Sequence, residues 1–169
     1  MIRVIGCGNP EAGDDAVGLE VVRIVRDVLA DTPGIEVEVA GTGARALDLT
    51  SGADGLVVVD AVRTPGGGRP PGTVIRVDVG RSGLPGEVAS SLSSHGLGLA
   101  EVFGLGAAIG LTPRIVFVGV EARDLVVGHG LSPEVRSVVP ALVETVAAEA
   151  RGLLPDEAPE PERVREATR

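Results

Sequence analysis

The chain has no tryptophan, no tyrosine and only two phenylalanines, Phe103 and Phe117, so no aromatic side chain dominates its interior. Its core must come from Val, Leu, Ile and Ala, the residues that fill buried parallel strands and the helices covering them. Cysteine is nearly absent too: a lone Cys7 excludes an internal disulfide and fits a reducing compartment. Positive charge is in short supply, with 15 basic residues against 24 acidic ones and a formal net charge of -9. Without a dense basic run, that balance repels polyphosphate backbones and argues against nucleic acid as a partner. No apolar run reaches 18 residues, and the opening Met1-Ile-Arg-Val-Ile leads straight to Gly6 and Asn9. The expectation is a cytoplasmic protein without a signal segment or membrane insertion.

What is present is enough apolar material, 44% of 169 residues, for one substantial core. The short β-branched run Arg3-Val-Ile stops at Gly6-Cys-Gly-Asn9 and reads as a first strand entering a tight turn. A helix follows, with Asp14 placed to cap it and Val17, Val21, Ile24, Val25 and Val28 at helical spacing, ending before Pro33-Gly34. Ile35 to Ala40 alternates like a strand with one wet face. Ala44 to Leu49 is a short helix, and Gly55-Leu-Val-Val-Val-Asp60 is a fully buried strand.

Beyond Asp60 lies a Gly- and Pro-rich stretch, Thr64 to Gly72, long enough to form a lid, and then a strand over Thr73 to Val79. Residues 95 to 110 read as a Gly-interrupted helix, Arg114 to Val120 as a buried strand, and Ser132 to Leu154 as a final helix capped by Ser132 with Pro133 in its first turn. The alternation predicts an α/β fold: a three-layer α/β/α domain over 1–154, with a mostly parallel twisted sheet of about five strands and room for one antiparallel edge strand. Residues 155–169 form a charged, proline-bearing tail with little to bury, expected to be disordered.

In such a sheet, ligands bind beyond the carboxyl ends of the strands. Three polar residues fall there: Asp15 after the first strand, Asp60 at the end of the third, and His95 just before a helix. Two carboxylates and an imidazole suit a borderline divalent ion such as nickel or zinc, and three protein ligands leave positions open for substrate or water. Each residue also has a plainer use. Asp14 and Asp15 can cap a helix and complement its dipole, Asp60 can fix a turn, and His95 can bond to backbone. His129, in Val-Gly-His-Gly, reads as a loop residue, and Cys7, between glycines, as a small buried side chain. A Ser-His-Asp arrangement lacks the Gly-x-Ser-x-Gly elbow.

The opening Val4-Ile-Gly-Cys-Gly-Asn-Pro-Glu-Ala-Gly-Asp-Asp-Ala-Val-Gly18 resembles that of the hydrogenase maturation proteases. Gly41-Thr-Gly43, the strand ending in Asp60, Ser94-His-Gly-Leu-Gly-Leu, Val118-Gly-Val-Glu121 and Gly130-Leu-Ser-Pro-Glu-Val135 follow in that family's order, so the resemblance extends to about residue 150. It implies metal ligands at Asp15, Asp60 and His95, which would also be the catalytic residues. It further implies an endopeptidase, aspartic-type by family label, that trims the C-terminal extension of a nickel-iron hydrogenase large-subunit precursor. The nickel would be supplied by that substrate. Two departures stand out. The first ligand is often Glu in relatives and is Asp15 here, while an acid common before the Gly-Thr-Gly segment is replaced by Val39-Ala40.

Three other functions share parts of this pattern. Peptidyl-tRNA hydrolases also open on Gly-x-Gly-Asn-Pro, but this chain lacks their Thr-Arg-His-Asn stretch and its acidity suits tRNA poorly. A dinucleotide module would place a pyrophosphate where Asp14 and Asp15 stand and repel it. A silent nickel-site chaperone would keep the triad and cleave nothing.

Overall fold

The computed structural model describes residues 1–40, 43–64, 68–79 and 113–155. The helix expected over 95–110, His95 itself and the tail beyond 155 lie outside the described residues, as do 65–67 of the expected lid. Five strands form one sheet: β1 (Ile2–Gly6), β2 (Ile35–Val39), β3 (Gly55–Val62), β4 (Val74–Val79) and β5 (Arg114–Glu121). Three helices are described, α1 (Val17–Val28), α2 (Gly43–Thr50) and α3 (Pro133–Gly152). None of them is long and apolar enough to cross a membrane.

The strand order is β2-β1-β3-β5-β4, parallel throughout except where β4 runs antiparallel to β5 at one edge. This is the expected α/β architecture with its antiparallel edge strand. The order in which strands are added reverses at β1, since β2 lies on one side of it and β3 on the other. That topological switch point is where an open α/β sheet leaves a crevice at the carboxyl ends of its strands.

Side-chain parity divides the sheet cleanly. Ile2 and Val4, Val57 and Val59, and Val116, Val118 and Val120 face α1 and α3 in one core cluster. Ile5 and Cys7, Leu56, Val58 and Val62, and Phe117 form the second cluster, on the opposite face with Leu49 of α2. Each of the central strands β1, β3 and β5 therefore feeds two cores, which is why β3 and β5 read as nearly continuous apolar runs.

Helix α1 buries Val17, Val21, Val22 and Val25, but Ile24 and Val28 are 45% and 46% exposed. The apolar stripe is thus rotated from the expected one, with Ile24 and Val28 at its rim, where they line a groove of about 590 Å³ with Val139, Val143 and Ala147 of α3. Helix α3 begins as expected: Ser132 is its N-cap, its side chain accepts from Val135 N, and Pro133 opens the first turn.

Candidate active site

Helix α1 lies against the sheet at backbone distance because glycine stands on both sides of the contact. A Cβ on Gly18 would come within 2.3 Å of the Cys7 carbonyl and 2.4 Å of that of Val59; one on Gly6 would meet Val22 and the Gly18 carbonyl. These contacts seat the start of α1 directly over the ends of β1 and β3. Between β1 and α1 the chain makes the Gly-x-Gly-Asn turn and then a single 3-10 turn over Gly13–Ala16. Gly8 has φ 122°, and a Cβ there would stand 1.8 Å from the Asp15 carbonyl, so only glycine lets the two segments touch.

This packing brings two of the three sequence-predicted site residues together. Asp15 is buried in the 3-10 turn, and its Oδ2 accepts from Asn9 N at 2.8 Å. Asp60 is half-buried near the end of β3, and its Oδ1 accepts from Ala61 N at 2.9 Å. Burial, reinforced by the negative charge of Asp15 and opposed by the Ala61 N–H, pushes the Asp60 carboxyl up to about 8. Asp60 is thus within electrostatic range of Asp15. The third residue, His95, lies outside the described residues.

Cys7 completes the floor of this crevice. Burial, then the charges of Asp60 and Asp15, push its thiol well above the usual range, which disfavours the thiolate a nucleophile requires. It is the small buried side chain that the sequence suggests. Among the described residues, no group of three or more His, Cys, Asp or Glu side chains gathers to hold a metal ion. Two carboxylates within electrostatic range of each other are nonetheless a fitting partial donor set for a divalent cation, which their oxygens can ligate once ionised.

The helix-capping expectation for Asp14 is not met: no side chain caps the 3-10 turn or α1. The Asp14 carboxylate instead crosses to a segment more than a hundred residues away. Its Oδ2 accepts from Arg123 N at 2.8 Å, Asp124 N at 3.2 Å and Ser132 Oγ at 3.0 Å, and its Oδ1 accepts from Ser132 N at 2.6 Å. The two adjacent acids therefore face different surroundings.

A third buried acid, beside Asp14 and Asp15, had been given no site role from the sequence. Glu121, at the end of β5, pairs in register with Val62 of β3, and so its side chain shares the Asp60 face. Its carboxylate accepts from Thr64 N at 2.8 Å and Thr64 Oγ1 at 2.7 Å, while its backbone carbonyl accepts from Gly72 N at 2.8 Å. Both ends of the expected lid are tied to this one residue. Its sequence signal was an acid closing a continuous apolar strand. His129 is exposed in the loop after β5, its carbonyl accepting from Gly13 N at 3.1 Å and its Nδ1 3.6 Å from Asp124.

Comparison with known proteins gives a consistent result. The family model described as hydrogenase maturation protease matches residues 19–149. A Methanocaldococcus jannaschii protein with a provisional name as a hydrogenase maturation protease is 28% identical over 156 residues, 89% of this chain and 96% of its own. The hydrogenase maturating endopeptidase HybD from E. coli superimposes with a TM-score of 0.71 at 27% identity, over 89% of this chain and 92% of that one. The [NiFe] hydrogenase maturation protease HybD from Thermococcus kodakarensis gives a TM-score of 0.64 over 88% of this chain and 98% of that one, and at 23% identity bears on the fold alone.

Proposed function

Since the chain belongs to the hydrogenase maturation protease family, we propose that it removes the C-terminal extension of a nickel-iron hydrogenase large-subunit precursor after that precursor has received nickel. The observation that carries this reading is the convergence of Asp15 and Asp60 at the switch point between β1 and β3, where a parallel sheet binds its ligand. His95 is the third ligand in this reading, and the nickel arrives as part of the substrate.

Burial and the negative charge of Asp15 disfavour ionisation of Asp60, and a divalent cation carried in by the precursor would offset both. A precursor without metal brings no such compensation, which gives a physical basis for acting only on the loaded form. In cleavage, water attacks the carbonyl of the scissile peptide bond, the C–N bond breaks, and the leaving amine takes up a proton. Asp15 and Asp60 orient the metal-bearing end of the substrate, and either one, when ionised, can accept the proton that the attacking water gives up. The Cys7 thiol takes no part.

The test is to incubate the protein with nickel-loaded and nickel-free precursor and follow the size of the large subunit by mass spectrometry. Loss of the extension from the loaded form alone is the expected result. Equal cleavage of both forms would remove nickel from the reading. Binding of the loaded form without cleavage would instead make the chain a nickel-site chaperone.

A further inference from the structure

We propose that Asp14 is a positioning residue for the proteolytic site: it clamps the 3-10 turn to the segment before α3, so that the adjacent Asp15 is turned toward Asp60. The inference rests on the reading of Asp15 as a site carboxylate and adds a residue that does not itself touch the substrate. Successive side chains on a 3-10 turn point about 120° apart, so Asp14 and Asp15 cannot face the same surroundings. Fixing the direction of one fixes the direction of the other.

The clamp is extensive. Asp14 is 1% exposed, and its two oxygens accept from three backbone amides, of Arg123, Asp124 and Ser132, and from the Ser132 hydroxyl. The backbone reinforces it, with Asp14 N donating to Asp124 O at 3.1 Å, Gly13 N to His129 O at 3.1 Å, and Gly128 N to Glu11 O at 2.8 Å. Ser132 is also the N-cap of α3, a helix of 20 residues packed on the core, so the clamp is anchored to a rigid element. On the other side of the turn, Asp15 Oδ2 accepts from Asn9 N at 2.8 Å. The Asn9 amide is therefore a reporter of where the Asp15 carboxylate stands.

The chemistry of the clamp requires a carboxylate. Asn at position 14 keeps the shape but offers one oxygen where two are used. Whichever way its amide is turned, the NH2 group meets a backbone N–H, that of Ser132 on one side or those of Arg123 and Asp124 on the other. A half-satisfied buried network loses its hold on the groups it orients.

The experiment compares the wild-type chain with Asp14→Asn, with Ser132→Ala, which removes the hydroxyl donor to Asp14 together with the N-cap acceptor of α3, and with Val146→Ala. Val146 is a fully buried residue of α3, and its variant serves as a control that loses stability without touching the clamp. Each is measured for amide hydrogen exchange at Asn9 by NMR, for melting temperature, and for kcat and KM on nickel-loaded precursor. Asp14→Asn should speed Asn9 exchange and lower kcat by about 10–100-fold, the usual cost of removing the group that orients a ligand, with little change in KM. Ser132→Ala should shift both readouts in the same direction by less, and Val146→Ala should shift neither beyond the effect of its lower melting temperature. Should Asp14→Asn prove unable to fold, Ser132→Ala alone decides. Wild-type Asn9 protection and kcat in the folded Asp14 or Ser132 variant would overturn the proposal. Failure of the wild-type chain to cleave nickel-loaded precursor would instead defeat the proteolytic reading, and the Asn9 exchange would still report whether Asp14 orients Asp15.

Discussion

The two faces of the sheet are built from the same three central strands but do different work. Toward α1 and α3 the strands present only apolar side chains, Val57, Val59 and Ala61 of β3 and Val116, Val118 and Val120 of β5. Toward the opposite face, alternate residues of the same strands begin apolar, with Leu56, Val58 and Phe117, and carry acids near their carboxyl ends, Asp60 followed by the buried Val62 in β3 and Glu121 in β5. Parity thus separates a face that holds the fold together from one that carries acids at the carboxyl ends of the strands. The acids stand in the last few residues of β3 and β5, and the buried Glu121 is tolerated there because Thr64 N and Oγ1 satisfy its carboxylate. It follows that changes on the two faces should be separable: one should cost stability and the other activity.

The sharpest test of that separation is Asp60→Asn. It keeps the size of the side chain and removes the charge, so the fold should survive while processing of nickel-loaded precursor falls by about a thousandfold or more, as when one member of a catalytic unit is lost. Circular dichroism and gel-resolved processing together decide it. A folded variant with near-normal processing would show that the acidic face is not the working face.

The converse change is Leu142→Ala, in a fully buried residue of α3 on the apolar face. Truncation of a buried leucine costs about 2–5 kcal/mol, so the midpoint of urea unfolding should drop clearly. Activity per folded molecule should stay the same. If it fell in proportion to stability, the two faces would be coupled after all.

Most of this division was legible in the sequence, and the parts that were not have identifiable causes. The β-branched runs at Arg3-Val-Ile and Leu56 to Val59 show the strands, and Gly6 marks the end of β1, because turn residues are local signals, whereas β3 runs two residues past its expected end at Asp60, to Val62. The placement of Asp15 and Asp60 within electrostatic range of each other was legible for the same reason. The role of Asp14 was not, since its partners lie 109 to 118 residues away and nothing local distinguishes a capping acid from a clamping one. Glu121 was hidden because its burial depends on its register with Val62, a non-local pairing. The rotation of the α1 stripe, with Ile24 and Val28 at its rim, reflects how α3 packs beside it, which periodicity within α1 cannot specify.

Gly18→Ala bridges the two faces and should affect both by moderate amounts. The new methyl group would meet the carbonyls of Cys7 and Val59 at less than van der Waals distance, and backbone cannot yield as a flexible side chain does. Overpacking of this kind costs about 1–3 kcal/mol and would lift the start of α1, with Asp15, away from the sheet. Thermal unfolding should therefore weaken and processing per folded molecule should fall together. Loss of stability alone would mean that the seating of α1 does not set the position of Asp15.

The smallest expected effect is a pH dependence of stability that belongs to the acidic face alone. In the folded metal-free protein the Asp60 carboxyl is pushed up to about 8, whereas in the unfolded chain it returns to its ordinary value of 3.8. Between those values the folded state holds a proton that the unfolded state has released. Stability from this group must then fall as pH rises through that window, and level off below the lower value and above the upper one. The full shift would be worth several kcal/mol, but Asp60 is only half-buried and water screens part of its interaction, so about 1–2 kcal/mol is the realistic loss. Asp60→Asn has no such proton, and so the variant should gain on the wild type as pH rises from 5.5 to 9, with every titration common to both proteins cancelling in the difference. Asp15→Asn should act in the same direction but less, because it removes only the secondary cause of the shift and leaves the burial of Asp60 in place. Urea unfolding of the three metal-free proteins at several pH values measures it. Parallel stability curves for wild type and Asp60→Asn would mean that Asp60 carries no buried, repelled charge, and that the acidic face is as quiet electrostatically as the apolar one.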